Sequence, residues 1–341
     1  MLLSGRPLLD NPVDAALFVD REEPLSRIHA ALQRGLNVLV TGDPGLGKTS
    51  LLRQVMYRAR TADAGDPIGG HPMRFVHAQS ITGGPALLAQ IVTGDHTRTA
   101  PTAQLLDQLT AERAAVAGDT PAGEAAAAPR PVLIVDDVTA TAGHEVFGRL
   151  RDELWETGYH WIVAARAADR AGLLTPPADA FFDTVIDLPA LTPQAATALL
   201  TTRLSPDPGV LPAEIAGLVG GNPRRLIAAA RDLVDLPTAQ HRARLDAIAL
   251  RDRTIHALGR SESMLAAELE ALGGASASDP ALLDRLGWTR ARAVQVLTKL
   301  EDEGLVVGED VAAGAGRPRK VYRLLSADEL LTRRSSTEHE Q

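Results

Sequence analysis

Residues 37 to 55, "NVLVTGDPGLGKTSLLRQV", constrain the fold of this 341-residue chain more than any other stretch. An apolar run leads into G-x-x-x-x-G-K-T at Gly42, Gly47, Lys48 and Thr49, and an amphipathic helical pattern follows. Strand, glycine-rich loop and helix in that order make a phosphate cradle. Glycines let backbone N–H groups approach phosphate oxygens, and the helix N-terminus adds a favourable dipole. Lys48 then neutralises charge on the β- and γ-phosphates, and Thr49 ligates magnesium. The expected lining of the cradle is Gly42, Pro44, Gly45, Leu46, Gly47, Lys48, Thr49 and Ser50, with ATP or ADP and Mg2+ as its ligands. The alternative is a glycine-rich turn that merely links strand to helix.

A second element must bring a carboxylate to that metal. "PVLIVDDV", residues 131 to 138, ends an apolar run in Asp136 and Asp137. Asp136 is the expected magnesium partner, through water, and Asp137 is positioned to orient an attacking water. Asp137 is one methylene shorter than the glutamate common at this place, which predicts slow hydrolysis. Each acid also has an ordinary reading as a strand-end or N-cap residue.

Around these motifs, short β-branched runs alternate with helical patterns: 36–41, 74–78, 131–136, 160–165 and 183–188 read as strands. That alternation predicts a parallel sheet covered by helices. Two Gly/Pro/Ala-rich stretches, 61–72 and 117–129, read as surface loops. From "LTPQAATALLTTRL" to about residue 255 the pattern is helical, with Asn222 and Pro223 suited to cap and open a helix over "RRLIAAARDLV". The expected architecture is an α/β P-loop NTPase core over 1–190, a helical lid over 191–255, a winged helix over 256–326 and a flexible tail over 327–341.

The absence of cysteine excludes disulfides, thiolate zinc sites and cysteine nucleophiles, and agrees with a cytoplasmic location. No apolar run approaches the roughly 18 residues that span a bilayer, and the N-terminus lacks a signal-peptide pattern. With 35 Lys+Arg against 43 Asp+Glu, the net charge of -8 argues against indiscriminate coating of nucleic acid but leaves room for one basic face.

With the two motifs placed, residues 12 to 235 resemble the AAA+ ATPases of the origin-recognition and archaeal-ATPase type, and also the related STAND signalling ATPases. "LFVDREEPL" is similar to the family's hydrophobic-G-R-E segment beside adenine, which puts Phe18, Val19 and Arg21 at the base and Asp20 where the family has Gly. The resemblance places a sensor-1 residue at Arg166, ending "WIVAAR", and a base contact and sensor 2 at Pro223 and Arg224 of "GNPRRL". The implied catalytic set is Lys48, Asp137 and Arg166. A surface arginine and a plain helix cap are the ordinary readings of Arg166 and of Asn222 with Pro223. An arginine finger falls at Arg149, Arg151 or Arg170, undecided, and self-assembly through the ATPase domain is implied. The paired acids suit STAND proteins, yet no Met-His-Asp motif is present, and His256 stands alone in "TIHAL". The order ATPase, lid, winged helix suits the initiator type better.

The terminal region reads as helices at "SESMLAAELEALGG", "SDPALLDRLGW" and "TRARAVQVLTKLEDEG", then strands at "GLVV" and "KVYRLL". Ser278 or Asp279 caps the second helix and Gly287 makes the turn after it. In the third, Ala293, Val294, Leu297 and Leu300 form the expected apolar face, with Arg292, Gln295 and Lys299 opposite. That is a helix-turn-helix with a reading face. The expected double-stranded DNA contacts are Arg290, Arg292, Gln295, Lys299, and Arg317, Arg319 and Lys320 of a wing. "GRPRK" is also similar to an AT-hook core. The competing reading is a nucleotide-gated signalling or scaffold switch whose winged helix contacts protein, its charges merely solvated.

Overall fold

A computed structural model describes residues 3–62, 69–79, 81–118, 130–204, 211–234, 236–311, 319–327 and 329–332. They divide into two compact units, Arg6–Pro189 on the one hand and Met1–Gly5 with Ala190–Gln341 on the other. Most of the two stretches read as loops, 61–72 and 117–129, lies outside the described residues, as do wing positions 312–318 and most of the tail. Among the described residues no helix is long and apolar enough to cross a membrane.

In the first unit, β1 (Val38–Gly42), β2 (Met73–His77), β3 (Val132–Val138), β4 (His160–Arg166) and β5 (Thr184–Asp187) form one sheet ordered β2-β3-β4-β1-β5. Every pairing is parallel, and each strand lies within two residues of its predicted bounds. Helices cover both faces, so the central strands are buried on both sides and read as unbroken apolar runs. Leu39, Leu133, Val135, Trp161 and Val163 join one core with Leu87, Leu88, Phe147 and Phe181. Their strand neighbours Val38, Val40, Val132, Ile134, Ile162 and Ala164 join the other, with Ile28, Leu51, Leu52 and Val55. The period of two along each strand splits the residues between these layers.

Parallel strands end together, and the C-terminal edge of such a sheet is where ligands bind in open α/β folds. Here that edge carries Gly42, His77, Asp136, Asp137 and Arg166, with Gly42 paired to Arg166 and His77 to Asp136 in register. Between Val135 and Val138 the β3 register slips, and Asp137 takes φ 62° in the bulge.

The second unit opens with the helices Pro193–Arg203, Pro212–Val219, Pro223–Val234 and Thr238–Leu258. Asn222 caps the third as expected: its Oδ1 accepts from the backbone N–H of Arg224 at 3.1 Å and of Arg225 at 3.4 Å. Helices Arg260–Leu272, Pro280–Leu286 and Arg290–Asp302 follow, then the antiparallel pair β6 (Val306–Val311) and β7 (Arg319–Leu324). A bridge from Ala275 to Tyr322 adds a third edge to this pair, completing a winged-helix arrangement. Asp279, not Ser278, caps the second helix, and Gly287 turns with φ 64°.

Two features depart from the expected pattern: β6 begins inside the expected strand 304–307 and runs on to Val311, four residues into the expected wing loop, and the apolar face of the third helix is shifted. Val294 is 43% exposed, and Val296 takes its place in the core with Ala293, Leu297 and Leu300. At about 100° per residue, 293, 296, 297 and 300 fall within an arc of roughly 100°, and 294 lies roughly 60° beyond its edge.

Candidate functional site

The loop between β1 and the helix Lys48–Thr61 has the backbone a phosphate cradle needs. Gly45 and Gly47 take φ 85° and 93°, and Gly47 is the N-cap residue. A Cβ built on Gly47 would meet nothing within 4 Å, so the space before the helix N-terminus is open to phosphate oxygens. Leu46 is buried beneath the loop in the core. Lys48 Nζ donates to Gly42 O at 2.7 Å and to Asp43 O at 3.2 Å, which folds its ammonium over the cradle. Burial lowers the Lys48 pKa, and the carboxylates of Asp137 and Asp136 raise it. Ser50 is turned elsewhere: its Oγ accepts from Leu8 N–H at 3.1 Å.

Beside the loop, Thr49 Oγ1 donates to Asp136 Oδ2 at 2.7 Å. A hydroxyl and a carboxylate are hard oxygen donors suited to magnesium, an ion that takes few protein ligands and fills its shell with phosphate and water. Among the described residues no cluster of three or more His, Asp or Glu could hold a metal without such help. Asp136 is buried, and that burial raises its pKa while the Thr49 hydrogen bond lowers it. Asp137 faces the next strand, with Arg166 Nε 3.4 Å from its Oδ1. The bulge thus separates the two acids, one toward Thr49 and one toward Arg166.

The segment expected beside adenine is also ordered. Phe18 packs on the core beneath the loop, and buried Arg21 donates from Nη2 to Leu46 O at 3.4 Å. Val19 is half-buried. Asp20 stands in the left-handed region with φ 53°, and its Oδ1 accepts from Arg21 N–H at 3.1 Å. That backbone explains how aspartate serves where glycine is usual, since Asp tolerates this conformation better than most side chains. Pro223 and Arg224 open their helix in the other compact unit, half-buried and exposed respectively. Of the three finger arginines, Arg151 donates to Pro177 O at 3.2 Å and Arg170 to Asp187 at 2.9 Å, whereas Arg149 is exposed at the end of a π-helical turn, His144–Arg149.

Sequence reading missed His77. Its imidazole Nδ1 lies 3.8 Å from Asp136 Oδ2, and its Nε2 lies 3.2 Å from Arg53 Nη2. The one available signal was its place at the end of a predicted strand.

Of the expected DNA-contacting residues, Arg290, Arg292, Gln295, Lys299 and Lys320 are exposed and Arg319 is half-buried, and most of them are paired. Lys299 Nζ donates to Glu262 at 2.7 Å and to Leu258 O at 3.0 Å, and Arg292 donates to Ser261 at 2.9 Å and to Gln295 at 2.8 Å. Both therefore lean to the flank nearest the helix Arg260–Leu272. Arg319 bridges to Asp279 at 3.1 Å and hydrogen-bonds Ser276, while Lys320 bridges to Glu301 at 2.9 Å. Arg290 is exposed at the start of the third helix, and Arg317 lies outside the described residues. His256 lies at the surface, where its Nδ1–H donates to Asp252 O at 2.7 Å.

No protein-family model and no curated protein matches this chain. Solved structures do. The ORC1 protein of Aeropyrum pernix, in complex with DNA, aligns with a TM-score of 0.50 at 15% identity, covering 97% of this chain and 97% of that one. A Walker-type ATPase of Pyrococcus abyssi aligns at 0.49 with 13% identity over 98% and 100%. For Cdc6p of Pyrobaculum aerophilum the figures are 0.47, 14%, 95% and 98%. The chain has the fold of the ORC1 protein. That fold is a P-loop NTPase core with a helical lid and a C-terminal winged helix, as the sequence predicted. Identity this low carries the fold alone, so residue roles rest on the geometry above.

Proposed function

We propose that this protein binds ATP with Mg2+, hydrolyses it slowly, and uses the nucleotide state to control how its winged helix holds double-stranded DNA. The observation that carries the reading is the open glycine cradle of Gly47 beside the Thr49–Asp136 hydrogen bond of 2.7 Å. In this reading Gly42–Ser50 and Lys48 hold the phosphates, Thr49 and Asp136 hold the metal, and Phe18, Val19 and Arg21 hold the base. Arg166 and Arg224 sense the γ-phosphate, with Pro223 beside the base. Bound magnesium would supply charge neutralisation on the phosphate oxygens. The lid is assigned to 191–255, the winged helix to 256–326, and assembly to the ATPase domain.

Asp137 divides binding from chemistry. Asp137→Asn keeps the left-handed backbone and should leave ATP affinity unchanged. It should lower kcat about tenfold, since a charge-assisted hydrogen bond to the attacking water is worth about 1.5 kcal/mol. Asp136→Asn should instead weaken ATP binding in Mg2+ while sparing it in EDTA. Identical defects in both variants, by labelled-ATP titration and phosphate release, would refute this division of roles.

DNA binding is supported by the exposed third helix and by the ORC1 protein of the same fold, solved in complex with DNA. The second reading, a switch whose winged helix meets protein, is favoured by charge. Residues 256 to 326 hold 9 Lys+Arg and 10 Asp+Glu, and Lys299, Arg319, Lys320 and Arg323 each have an acidic partner. DNA must displace those acids to gain the cations. Anisotropy of a fluorescent duplex against salt decides between the readings. The Arg319→Ala, Lys320→Ala double variant should lower the log-log salt slope by roughly 2, about 0.9 for each phosphate no longer neutralised. No duplex binding by the wild type at low salt, with ATP or ADP, would leave the protein-facing reading in place.

A further inference from the structure

His77 belongs to no role assigned above, yet it stands at the centre of a chain of contacts that ends on the metal-site acid. Arg53, one turn along the helix after Thr49, lies flat over the Phe75 ring with its Cζ 3.8 Å from the centroid. Its Nη1 is 3.7 Å from Asp10, and its Nη2 is 3.2 Å from His77 Nε2. Phe75 in turn packs against the His77 ring, centroids 4.7 Å apart. A guanidinium has donors and no acceptor. The nitrogen facing it must therefore be the bare one, because an Nε2–H would set donor against donor. A neutral imidazole with a bare Nε2 carries its proton on Nδ1, and Nδ1 is the atom 3.8 Å from Asp136 Oδ2. Strand pairing holds this arrangement, since His77 and Asp136 are register partners on β2 and β3.

We propose that His77 is a positioning residue for Asp136: Arg53 fixes its imidazole as the Nδ1–H tautomer, and that N–H faces the same Oδ2 that accepts from Thr49. The proposal rests on the reading of Thr49 and Asp136 as the magnesium site. A buried carboxylate held by one hydrogen bond can swing about it, whereas a second N–H facing the same oxygen restricts that swing. The side chain of Asp136 is 5% exposed, so water offers little substitute. Partners of this kind behind a metal ligand commonly change metal affinity by about tenfold or more when removed. The same tautomer keeps His77 from acting as a nitrogen ligand, which leaves an all-oxygen site suited to magnesium.

The test uses the full chain and two independent readouts. Long-range 1H–15N spectra of the protein with 15N-labelled imidazoles, free of nucleotide and metal, should show His77 protonated on Nδ1. Arg53→Ala should populate the Nε2–H form. In titrations of Mg2+ into protein and fluorescent ATP, His77→Ala should raise the half-saturating Mg2+ about tenfold, with binding in EDTA unchanged. His77→Asn, whose amide N–H replaces Nδ1–H, should restore most of the loss. His77→Gln, whose amide falls at the Nε2 position, should not. An Nε2–H tautomer in the wild type, an unchanged Mg2+ dependence in His77→Ala, or equal rescue by Gln and Asn would each overturn the proposal. Failure of the underlying reading looks different, because then the wild type itself would show no Mg2+-dependent ATP binding.

Discussion

Lys48→Ala is expected to weaken ATP binding about a hundredfold, close to 3 kcal/mol, the upper range for a hydrogen bond to a charged group. Lys48 Nζ reaches Gly42 O at 2.7 Å and Asp43 O at 3.2 Å from the first turn of its helix, so its ammonium already lies across the cradle that would take the β- and γ-phosphates. The acids make the loss larger than that of a single hydrogen bond. Burial lowers the Lys48 pKa, and the negative charges of Asp137 and Asp136 near the ammonium partly offset it. Remove the cation and a triphosphate meets two carboxylates with less compensation. The fold itself should tolerate the change, because alanine is a good residue for a helix's first turn and the side chain is not part of either core. Calorimetric titration with ATP and Mg2+ measures the effect, and circular dichroism checks the fold. Undiminished affinity would refute the assignment of Gly42–Ser50 as the nucleotide cradle.

What the sequence disclosed follows the range of the interactions. The loop is local: glycines at fixed offsets, a lysine and a threonine within one turn, so its backbone could be read without knowing the fold. The strands were legible because β1, β3 and β4 are buried on both faces, which leaves apolar runs with little else to become. Thr49 and Asp136 meet across 87 residues, and their pairing was readable because each ends a recognisable motif. Other contacts had no such marker. Lys299 and Glu262 are 37 residues apart and Lys320 and Glu301 are 19 apart, so a cluster of cations in the sequence did not reveal that acids already answer them. Asp20 looked unsuited to a place where the resemblance expects glycine, yet its φ of 53° is a left-handed conformation that aspartate tolerates better than most residues. His77 had the weakest signal of all, since its place depends on strand register and on the orientation of Arg53. Val294 shows how an apolar side chain can suggest a face that helical phase denies it, since it lies roughly 60° outside the buried arc and Val296 takes the core place.

Gly221→Ala should disrupt the start of the lid by about 3 kcal/mol, the combined scale of backbone overpacking and one broken backbone hydrogen bond. The reason lies in a close approach within the C-terminal unit. Leu191 N–H donates to Gly221 O at 2.8 Å, and a Cβ on Gly221 would overlap Leu191 O and come within 2.7 Å of Leu191 N. Both neighbours are backbone, so no side-chain rotation relieves the clash. The two strands of chain must separate, and the helix Pro223–Val234 loses the anchor just before its Asn222 cap. Hydrogen exchange read by mass spectrometry should show peptides from 190–204 and 211–234 opening roughly 100-fold more readily, the factor that about 3 kcal/mol implies. Core peptides holding β1 and β4 should keep their protection, because their contacts lie in the other unit. The variant also tests the roles proposed for Pro223 and Arg224. If those residues contribute to nucleotide binding, Gly221→Ala should weaken ATP affinity together with lid protection, and Arg224→Ala should weaken affinity with protection intact. Should both variants bind ATP as the wild type does, "GNPRRL" is a helix cap and nothing more, and nucleotide recognition belongs to Arg6–Pro189 alone. Unchanged exchange in Gly221→Ala would refute the close approach itself.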